Sequence, residues 1–290
     1  MNYQSFIILP QETILYKALD ELATQAKVVC FSGLPAVGKS LYVQQFSYMA
    51  LSKGRQITIL QWDLARQVFE TEEVLSTYPE VEGITHAGIR KACGIWARGA
   101  VFKWQNENVD NNNLLIIEGP LIGNRFIELV ATMQDEAEQF LRSKAVQFVV
   151  PVPSQAVRIA IEARRKKTSH APGHAGEKAD ASPQVVMVLY NELSEVALKL
   201  GYSEPVDWYA YKPDLYEFVY RKVLKNRNLV ILNIDMLIDV KDSVYAFPEA
   251  IRRNLIPLPE EASSSIEVME KQFRTTGELQ TSVDEWFMND

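Results

Sequence analysis

Cysteine, histidine and long apolar runs are all scarce in this chain of 290 residues, which contains two cysteines and three histidines. Cys30 lies in an apolar run typical of a buried strand, which argues against a disulfide with Cys93 or a zinc site. His170 and His174 have the spacing of a metal-binding pair, but their segment is rich in glycine and proline rather than helical. The composition therefore gives little support for a zinc-dependent or disulfide-dependent function.

No stretch of about 18 apolar residues occurs, and the first residues, Met1 to Gln4, lack the basic start of a signal peptide. We therefore expect a cytoplasmic protein without a membrane partner. Basic residues are not in excess either, since the net charge is −7. Because Glu260 to Asp290 carries eight acidic and two basic residues, the rest of the chain is close to neutral. Nucleic acid is therefore not expected as the main partner.

What the sequence does have is a phosphate-binding motif between an apolar run and a helical pattern. Val28 to Phe31 has the length and composition of a buried strand, and Leu41 to Ala50 carries apolar residues at helical spacing. Between them, Gly33 to Ser40 fits the pattern G-x-x-x-x-G-K-[ST] without a mismatch. A strand, a glycine loop and a helix in this order form the context in which the motif binds a nucleotide.

Each part of this motif has a chemical role. Glycines let backbone N–H groups surround a phosphate, and the helix dipole adds positive potential behind them. Lys39 is predicted to reach the β- and γ-phosphates, and the Ser40 hydroxyl is predicted to bind Mg²⁺. The predicted nucleotide-binding residues are Gly33, Leu34, Pro35, Ala36, Val37, Gly38, Lys39, Ser40 and Leu41. We expect ATP and Mg²⁺ as cofactors, with the choice between ATP and GTP left open.

Asp63 and Arg66 follow the second predicted strand, Gln56 to Trp62. In open α/β sheets, ligands bind outside the carboxyl ends of the strands. Asp63 is thus a candidate base for a substrate hydroxyl, and Arg66, one turn into the next helix, a candidate ligand for an anionic group. The alternative is that Asp63 caps a helix beginning at Leu64 and that Arg66 is a surface residue.

Glu118 marks the end of a further buried strand, Leu114 to Ile117. Four apolar residues that end in an acid are typical of the strand whose carboxylate holds Mg²⁺ beside a phosphate loop. Ser40 and Glu118 are therefore the predicted metal ligands. The segment from Gly123 to Arg142 has the apolar spacing of a single helix.

Arg164 and Arg165 begin a basic cluster at the end of a predicted helix that follows the strand Val146 to Val152. Thr168 to Pro183, which comes next, is rich in Ser, Ala, Gly and Pro and has no periodicity. A basic helix end that leads into a flexible loop indicates a lid that closes over phosphates. The alternative is a cationic last turn that satisfies the helix dipole before a linker.

The acidic segment from position 259 to 290 contains Ile266, Met269, Phe273, Trp286 and Phe287. Its composition favours a solvated acidic tail. The alternative is a short helix that docks these apolar side chains on the body of the protein or on a partner. The predicted organisation is a nucleotide-binding domain over 1–258, with a lid at approximately 154–200, and a tail over 259–290.

With a phosphate loop, Asp63 at a strand end, the strand ending in Glu118-Gly119 and a basic lid in this order, the chain resembles the P-loop small-molecule kinases. It is most similar to the group of uridine kinase, phosphoribulokinase and pantothenate kinase, whose second acidic strand also ends in Glu-Gly. The Asp-x-x-Arg of Asp63 and Arg66 looks more like polynucleotide kinases, adenylylsulfate kinases and zeta-type toxin kinases. The resemblance implies a P-loop NTPase fold, a three-layer α/β/α sandwich around a five-stranded, mostly parallel sheet of order 2-3-1-4-5.

The resemblance implies phosphoryl transfer from ATP, with Mg²⁺, to a hydroxyl group of a small metabolite. Lys39 would hold phosphates and Asp63 would accept the proton of the acceptor. Arg66 and Arg164 or Arg165 would neutralise phosphate and substrate charge. Two other functions stay open, a regulatory NTPase that senses nucleotide and a kinase of polynucleotide ends or nucleotide sugars. The acceptor and the oligomeric state do not follow from the sequence.

Overall fold

Within the described residues, six strands lie side by side in one open sheet, and its five strand pairings are all parallel. The computed structural model describes residues 2–81, 83–170, 173–174, 177, 181–240, 243–245 and 252–288. The strands are β1 (Val28–Ser32), β2 (Gln56–Gln61), β3 (Asn113–Gly119), β4 (Val146–Pro153), β5 (Leu229–Ile234) and β6 (Arg252–Asn254). Their order across the sheet is β5-β4-β1-β3-β2-β6. The expected α/β class with a mostly parallel sheet is therefore confirmed.

The expected number of five strands is wrong, because β6 adds a sixth at the edge formed by β2. Arg252 to Asn254 pairs in parallel with Ile57 to Ile59. This short polar segment has no apolar run that would predict a strand. It forms a strand because the edge of β2 offers unpaired backbone groups.

Helices flank both faces of the sheet. They are α1 (Ile14–Gln25), α2 (Lys39–Ser52), α3 (Trp62–Phe69), α4 (Glu72–Thr77), α5 (Ala87–Glu107), α6 (Glu136–Leu141), α7 (Gln155–His170), α8 (Pro183–Lys199), α9 (Pro213–Val223), α10 (Pro259–Gln272) and α11 (Thr276–Asp284). Short 3₁₀ turns occur at Tyr3–Phe6 and Ile127–Leu129. Each helix in the described ranges is either too short or too polar to span a lipid bilayer.

The two faces of the sheet carry separate hydrophobic clusters, because successive strand residues point to opposite sides. In β1, Val28 and Cys30 join the larger cluster and Val29 and Phe31 the smaller one. Buried residues of α1 and α2 complete the smaller cluster. Buried residues of α3, α5, α8, α9, α10 and α11 complete the larger one.

The segment after β3 is not the single helix that the apolar spacing predicts. Leu121, Asn124 and Phe126 have left-handed backbone conformations with φ of 63°, 59° and 66°, and Gly123 has φ of 59°. Such conformations interrupt a right-handed helix. The segment consists instead of an irregular loop, the 3₁₀ turn and the short α6. Phe126 packs edge-on against Trp62 with ring centroids 5.2 Å apart.

The expectation of a solvated C-terminal tail is wrong for the described part of that segment. Both α10 and α11 pack against α5. Met269, Trp286 and Phe287 are buried and belong to the larger hydrophobic cluster, and the exposed fraction of Trp286 is 2%. The acidic residues of these helices lie mostly on the outside, which is why composition alone suggested a tail. The docked arrangement, considered as the alternative, is the one observed.

Candidate functional site

A cleft of about 920 Å³ lies at the carboxyl ends of the parallel strands, which is where open α/β sheets bind ligands. Every residue predicted for catalysis or metal binding lines it. These residues are Lys39, Ser40, Asp63, Arg66, Glu118, Arg164 and Arg165. All of the predicted nucleotide-binding residues line the cleft except Gly33 and Val37.

The loop between β1 and α2 has a backbone that glycine makes possible. Gly38 precedes the first residue of α2 with φ of 88°, in the left-handed region where glycine is not strained. A Cβ atom at Gly33, whose φ is 145°, would lie 2.2 Å from the hydroxyl oxygen of Tyr216. Because Gly38 has no side chain to cap α2, the first N–H groups of the helix are left to bind an anion.

Lys39 turns its ammonium group back onto this loop. Its Nζ atom donates a hydrogen bond of 2.8 Å to the carbonyl oxygen of Leu34. Burial lowers the pKa of Lys39 to about 8, against the opposing effect of Glu118, and Arg165 lowers it further. An anion such as a phosphate would favour the charged form of Lys39.

Ser40, Gln61 and Glu118 form one connected group that joins the start of α2 to the ends of β2 and β3. The Ser40 hydroxyl donates a hydrogen bond of 2.9 Å to Oε1 of Glu118. The Gln61 side-chain amide donates one of 2.8 Å to Oε2 of the same carboxylate. A hydroxyl and a carboxylate at this distance fit Mg²⁺, which prefers oxygen ligands and is usually bound by one or two carboxylates together with phosphates. The described residues contain no group of three or more acidic, histidine or cysteine ligands.

Asp63 does not cap a helix, contrary to one of the two readings of the sequence. The helix α3 begins at Trp62 after Gln61, so Asp63 is its second residue. The side chain of Asp63 is 70% exposed, and its Oδ1 atom lies 3.4 Å from Nε of Arg66. Arg66 also forms an ion pair with Glu70. Two carboxylates therefore already occupy the guanidinium group of Arg66.

The basic end of α7 approaches the same cleft. Arg164 donates a hydrogen bond to the carbonyl oxygen of Val240, and the charge of Arg165 acts on Lys39. Of the predicted flexible loop, 168–183, the first three residues belong to α7 and the last begins α8, while residues 171–172, 175–176 and 178–180 lie outside the described residues. Whether it forms a lid stays a prediction.

Arg158, one turn into α7, contacts the loop between β1 and α2 and was not predicted from the sequence. It is buried, and its Nη1 atom donates a hydrogen bond of 2.7 Å to the carbonyl oxygen of Pro35. Its Nε atom donates one of 2.6 Å to Glu162, and its guanidinium carbon lies 5.2 Å from the ring centre of Tyr211. The only signal in the sequence was its position just after the carboxyl end of β4.

Arg125 is a second residue that the sequence analysis missed, because a helix was predicted there. It follows β3 in the irregular loop and lines the cleft together with Asp63. Its Nη1 atom donates a hydrogen bond of 3.0 Å to the carbonyl oxygen of Ile122. The neighbouring Arg90 donates one of 2.6 Å to the carbonyl oxygen of Gly123.

The cleft differs in character on the two sides of the loop between β1 and α2. The side that follows β2 and β3, called the charged side, contains Asp63, Arg66, Glu118 and Arg125. The side that follows β4 and β5, called the apolar side, contains Val157, Ile161, Met236, Leu237, Ile238 and Val240, and it also carries Arg164 and Arg165 at the end of α7. Because β1 lies between β4 and β3 in the sheet, this loop separates the two sides.

In comparisons with known proteins, no family model, no curated protein and no solved structure matches the chain.

Proposed function

We propose that this protein transfers the γ-phosphoryl group of ATP, with Mg²⁺, to a hydroxyl group of a small molecule, on a P-loop kinase fold. The observation that carries the proposal is the convergence of Lys39, the Ser40–Glu118 pair and Asp63 on one cleft around a glycine-containing loop. Phosphoryl transfer depends on positioning and on electrostatic stabilisation more than on covalent catalysis by the protein. The cleft contains residue types for both.

The nucleotide would bind with its phosphates on the loop and its base on the apolar side. The first N–H groups of α2 and the Lys39 ammonium would contact the phosphates. On binding, Lys39 would exchange its hydrogen bond with Leu34 for a phosphate oxygen. Ile161, Leu237 and Val240 would pack against the flat faces of the base.

Ser40 and Glu118 would hold Mg²⁺, which supplies positive charge beside the phosphates when bound. Their side chains are already joined by a hydrogen bond of 2.9 Å. Gln61 restrains the second oxygen of Glu118. The carboxylate is thus oriented before any ligand arrives, which lowers the cost of ordering it.

Asp63 would accept the proton of the acceptor hydroxyl. As a largely exposed carboxylate at the mouth of the cleft, it is accessible to an incoming substrate. Arg66 holds it from one side at 3.4 Å and limits its rotamers. Arg164 and Arg165 would approach the phosphates from α7.

The proposal is tested by incubating the purified protein with γ-labelled ATP and a fractionated metabolite pool. We expect label in a small molecule with the wild-type protein and none with Lys39→Ala. Binding of a non-hydrolysable ATP analogue, measured by calorimetry, shows whether Lys39→Ala fails at nucleotide binding. Release of labelled orthophosphate alone, with no labelled acceptor, would contradict the kinase.

The second candidate is a regulatory NTPase that senses nucleotide without an acceptor. The exposure of Asp63 favours it, because a catalytic base is more often shielded from solvent. A sensor would bind ATP and hydrolyse it slowly, and Asp63→Asn would leave that rate unchanged.

A further inference from the structure

We propose that Arg125 binds an anionic group of the acceptor, a carboxylate or a phosphate ester, and so selects charged hydroxyl compounds. This inference rests on the proposed phosphoryl transfer, and it concerns the substrate class rather than the reaction. A residue that binds the substrate at a distance from the reacting hydroxyl orients that hydroxyl and raises its effective concentration.

The location of Arg125 fits the acceptor and not the nucleotide. It follows β3 and lines the charged side of the cleft, together with Asp63 and Arg66. The apolar side, suited to a base, follows β4 and β5, across the phosphate loop. Asp63 and Arg66 are near enough for their charges to act on Arg125.

The guanidinium group of Arg125 has most of its hydrogen-bonding capacity unused within the described part of the chain. It donates one hydrogen bond, from Nη1 to the carbonyl oxygen of Ile122, and forms no ion pair with any described residue. Arg66, in contrast, is paired with both Asp63 and Glu70. A guanidinium group presents five N–H donors in a planar fork that matches a carboxylate or a phosphate.

The electrostatic surroundings of Arg125 also favour an anion. Burial lowers the pKa of Arg125 to about 10, and the positive charge of Arg90 lowers it further, against the opposing effect of Glu192. The charge of Arg125 is therefore only partly compensated by its neighbours. It is still fully protonated at neutral pH, and an anion in the cleft would stabilise it.

The loop that carries Arg125 is conformationally costly, which is typical of functional segments. Asn124 and Phe126, on either side of Arg125, both have left-handed backbones. Asn124 is fully buried, and its side-chain amide makes no hydrogen bond to any described residue. A Cβ atom at Gly123 would lie 2.6 Å from Nη1 of Arg125, so glycine keeps open the space that the guanidinium group occupies.

The inference is tested with simple anions while the phosphate loop is filled. The protein is saturated with Mg²⁺ and a non-hydrolysable ATP analogue, and then titrated with orthophosphate or with acetate. The variants are Arg125→Gln and Arg125→Lys, and the control is Arg274→Gln, which removes an exposed arginine far along the chain. Thermal melting shows whether each variant is folded.

We expect the wild-type protein and Arg274→Gln to bind one of the two anions. Arg125→Gln should weaken that binding by about tenfold to a hundredfold, and Arg125→Lys should lie between. Tighter binding of orthophosphate would indicate that the acceptor carries a phosphate ester. Tighter binding of acetate would indicate that it carries a carboxylate. Equal affinity of the wild-type protein and Arg125→Gln, or no anion binding by the wild-type protein, would overturn the inference.

The anion titration does not depend on phosphoryl transfer. If the proposed function is wrong, the protein will fail to bind the ATP analogue or to label an acceptor, and this outcome is distinct from a failure to bind anions. If the analogue does not bind, the anion titration is repeated with Lys39→Ala, which removes the cation of the phosphate loop. Arg125→Gln in that background then decides the same question. An Arg125 that only braces its loop would change the melting temperature and leave anion affinity unchanged.

Discussion

The two sides of the cleft are built from the same kind of element and differ in most of the side chains that line them. On each side, a parallel strand ends and a loop or helix begins beside the loop that joins β1 to α2. The side after β4 and β5 presents aliphatic side chains from α7 and from residues 236–240, with two arginines at the end of α7. The side after β2 and β3 presents carboxylates and arginines, several of which interact with one another.

Because of this difference, the two sides are suited to bind different chemical groups. An aliphatic surface binds a flat, weakly polar group through the burial of apolar area. A group of ionised side chains in a cleft can stabilise developing charge and orient a nucleophile. In the proposed kinase, the nucleotide would therefore bind on the apolar side, and the charged side would carry the groups for the chemistry.

Asp63→Asn, on the charged side, should have the largest effect on turnover. Asparagine keeps the shape of aspartate but cannot act as a base, so we expect turnover on the acceptor to fall by about 10²–10⁴. Affinity for the ATP analogue should not weaken, because removing this carboxylate leaves more positive potential around Lys39. Turnover and calorimetric binding are the two measurements.

The matched control for this variant is Glu70→Gln. Glu70 pairs with Arg66 as Asp63 does, but it does not line the cleft. Its turnover should stay within a few-fold of wild type. Equal turnover of the wild-type protein and Asp63→Asn would exclude Asp63 as the base.

The charged side is linked through Glu192 to Trp286, which lies just after α11. Burial raises the pKa of Glu192, while Arg125, Arg90 and the nearby Trp286 lower it. Trp286→Ala should reduce the free energy of unfolding by about 3–5 kcal/mol, because it opens a cavity in the larger hydrophobic cluster. Chemical denaturation measures this change.

The control is Met288→Ala, where the residue is 65% exposed and stability should hardly change. At a temperature where Trp286→Ala is still folded, anion binding should weaken more than binding of the ATP analogue. An equal loss of both would mean that Trp286 supports the whole cleft and not one side.

The pH dependence of nucleotide affinity tests the centre of the cleft. Because the pKa of Lys39 is lowered to about 8, the free protein loses this positive charge as the pH rises above that value. Phosphate binding favours the ammonium form and must then take up a proton. Affinity should therefore be nearly constant below pH 8 and fall by up to about tenfold per pH unit above it.

Lys39→Arg provides the comparison, because a guanidinium group stays protonated over this range. Its affinity for the ATP analogue should lack the decline above pH 8, whatever its absolute value. Calorimetric titrations of both proteins between pH 7 and pH 10 make the test. An identical decline in both would assign the titration to another group.

A substitution on the apolar side should have the smallest effect, and only on the affinity for the ATP analogue. Leu237→Asp places a charge against the proposed base and should weaken binding of the ATP analogue by about threefold to tenfold. Turnover at saturating ATP should be unchanged. Leu198→Asp on α8 is matched in exposure, 47% against 51%, and should affect neither quantity. If Leu237→Asp reduced turnover instead of affinity, the division between the two sides would be wrong.

The cleft residues that the sequence predicted lie at the end of an apolar strand or in a recognisable motif. Asp63 and Glu118 come at the end of apolar runs, and parallel strands bring their carboxyl ends to one edge. Lys39 was predicted from the motif Gly33 to Ser40. Arg125 and β6 could not be predicted in this way. The first lies in a loop whose left-handed residues have no reliable signature outside glycine and asparagine, and the second becomes a strand only through the edge that it joins.

The acidic C-terminal segment is a second case in which the sequence predicted the structure only in part. Its net charge favoured a solvated tail, yet the buried positions Met269, Leu279, Val283 and Trp286 decide its structure. Leu279, Val283 and Trp286 recur at helical spacing, so the docking of an amphipathic segment was predictable from periodicity. Which surface would receive it was not, because α5 lies far away in the chain.

Arg158 joins the first turn of α7 to the loop between β1 and α2. Its Nη1 atom donates a hydrogen bond to the carbonyl oxygen of Pro35, and its guanidinium carbon lies 5.2 Å from the ring centre of Tyr211. The hydrogen bond from its Nε atom to Glu162 stays within α7. Because a movement of the first turn would break the bond to Pro35, we expect the pivot of any closing movement to lie beyond Arg158. The moving segment would then be shorter than the 154–200 that the sequence predicts.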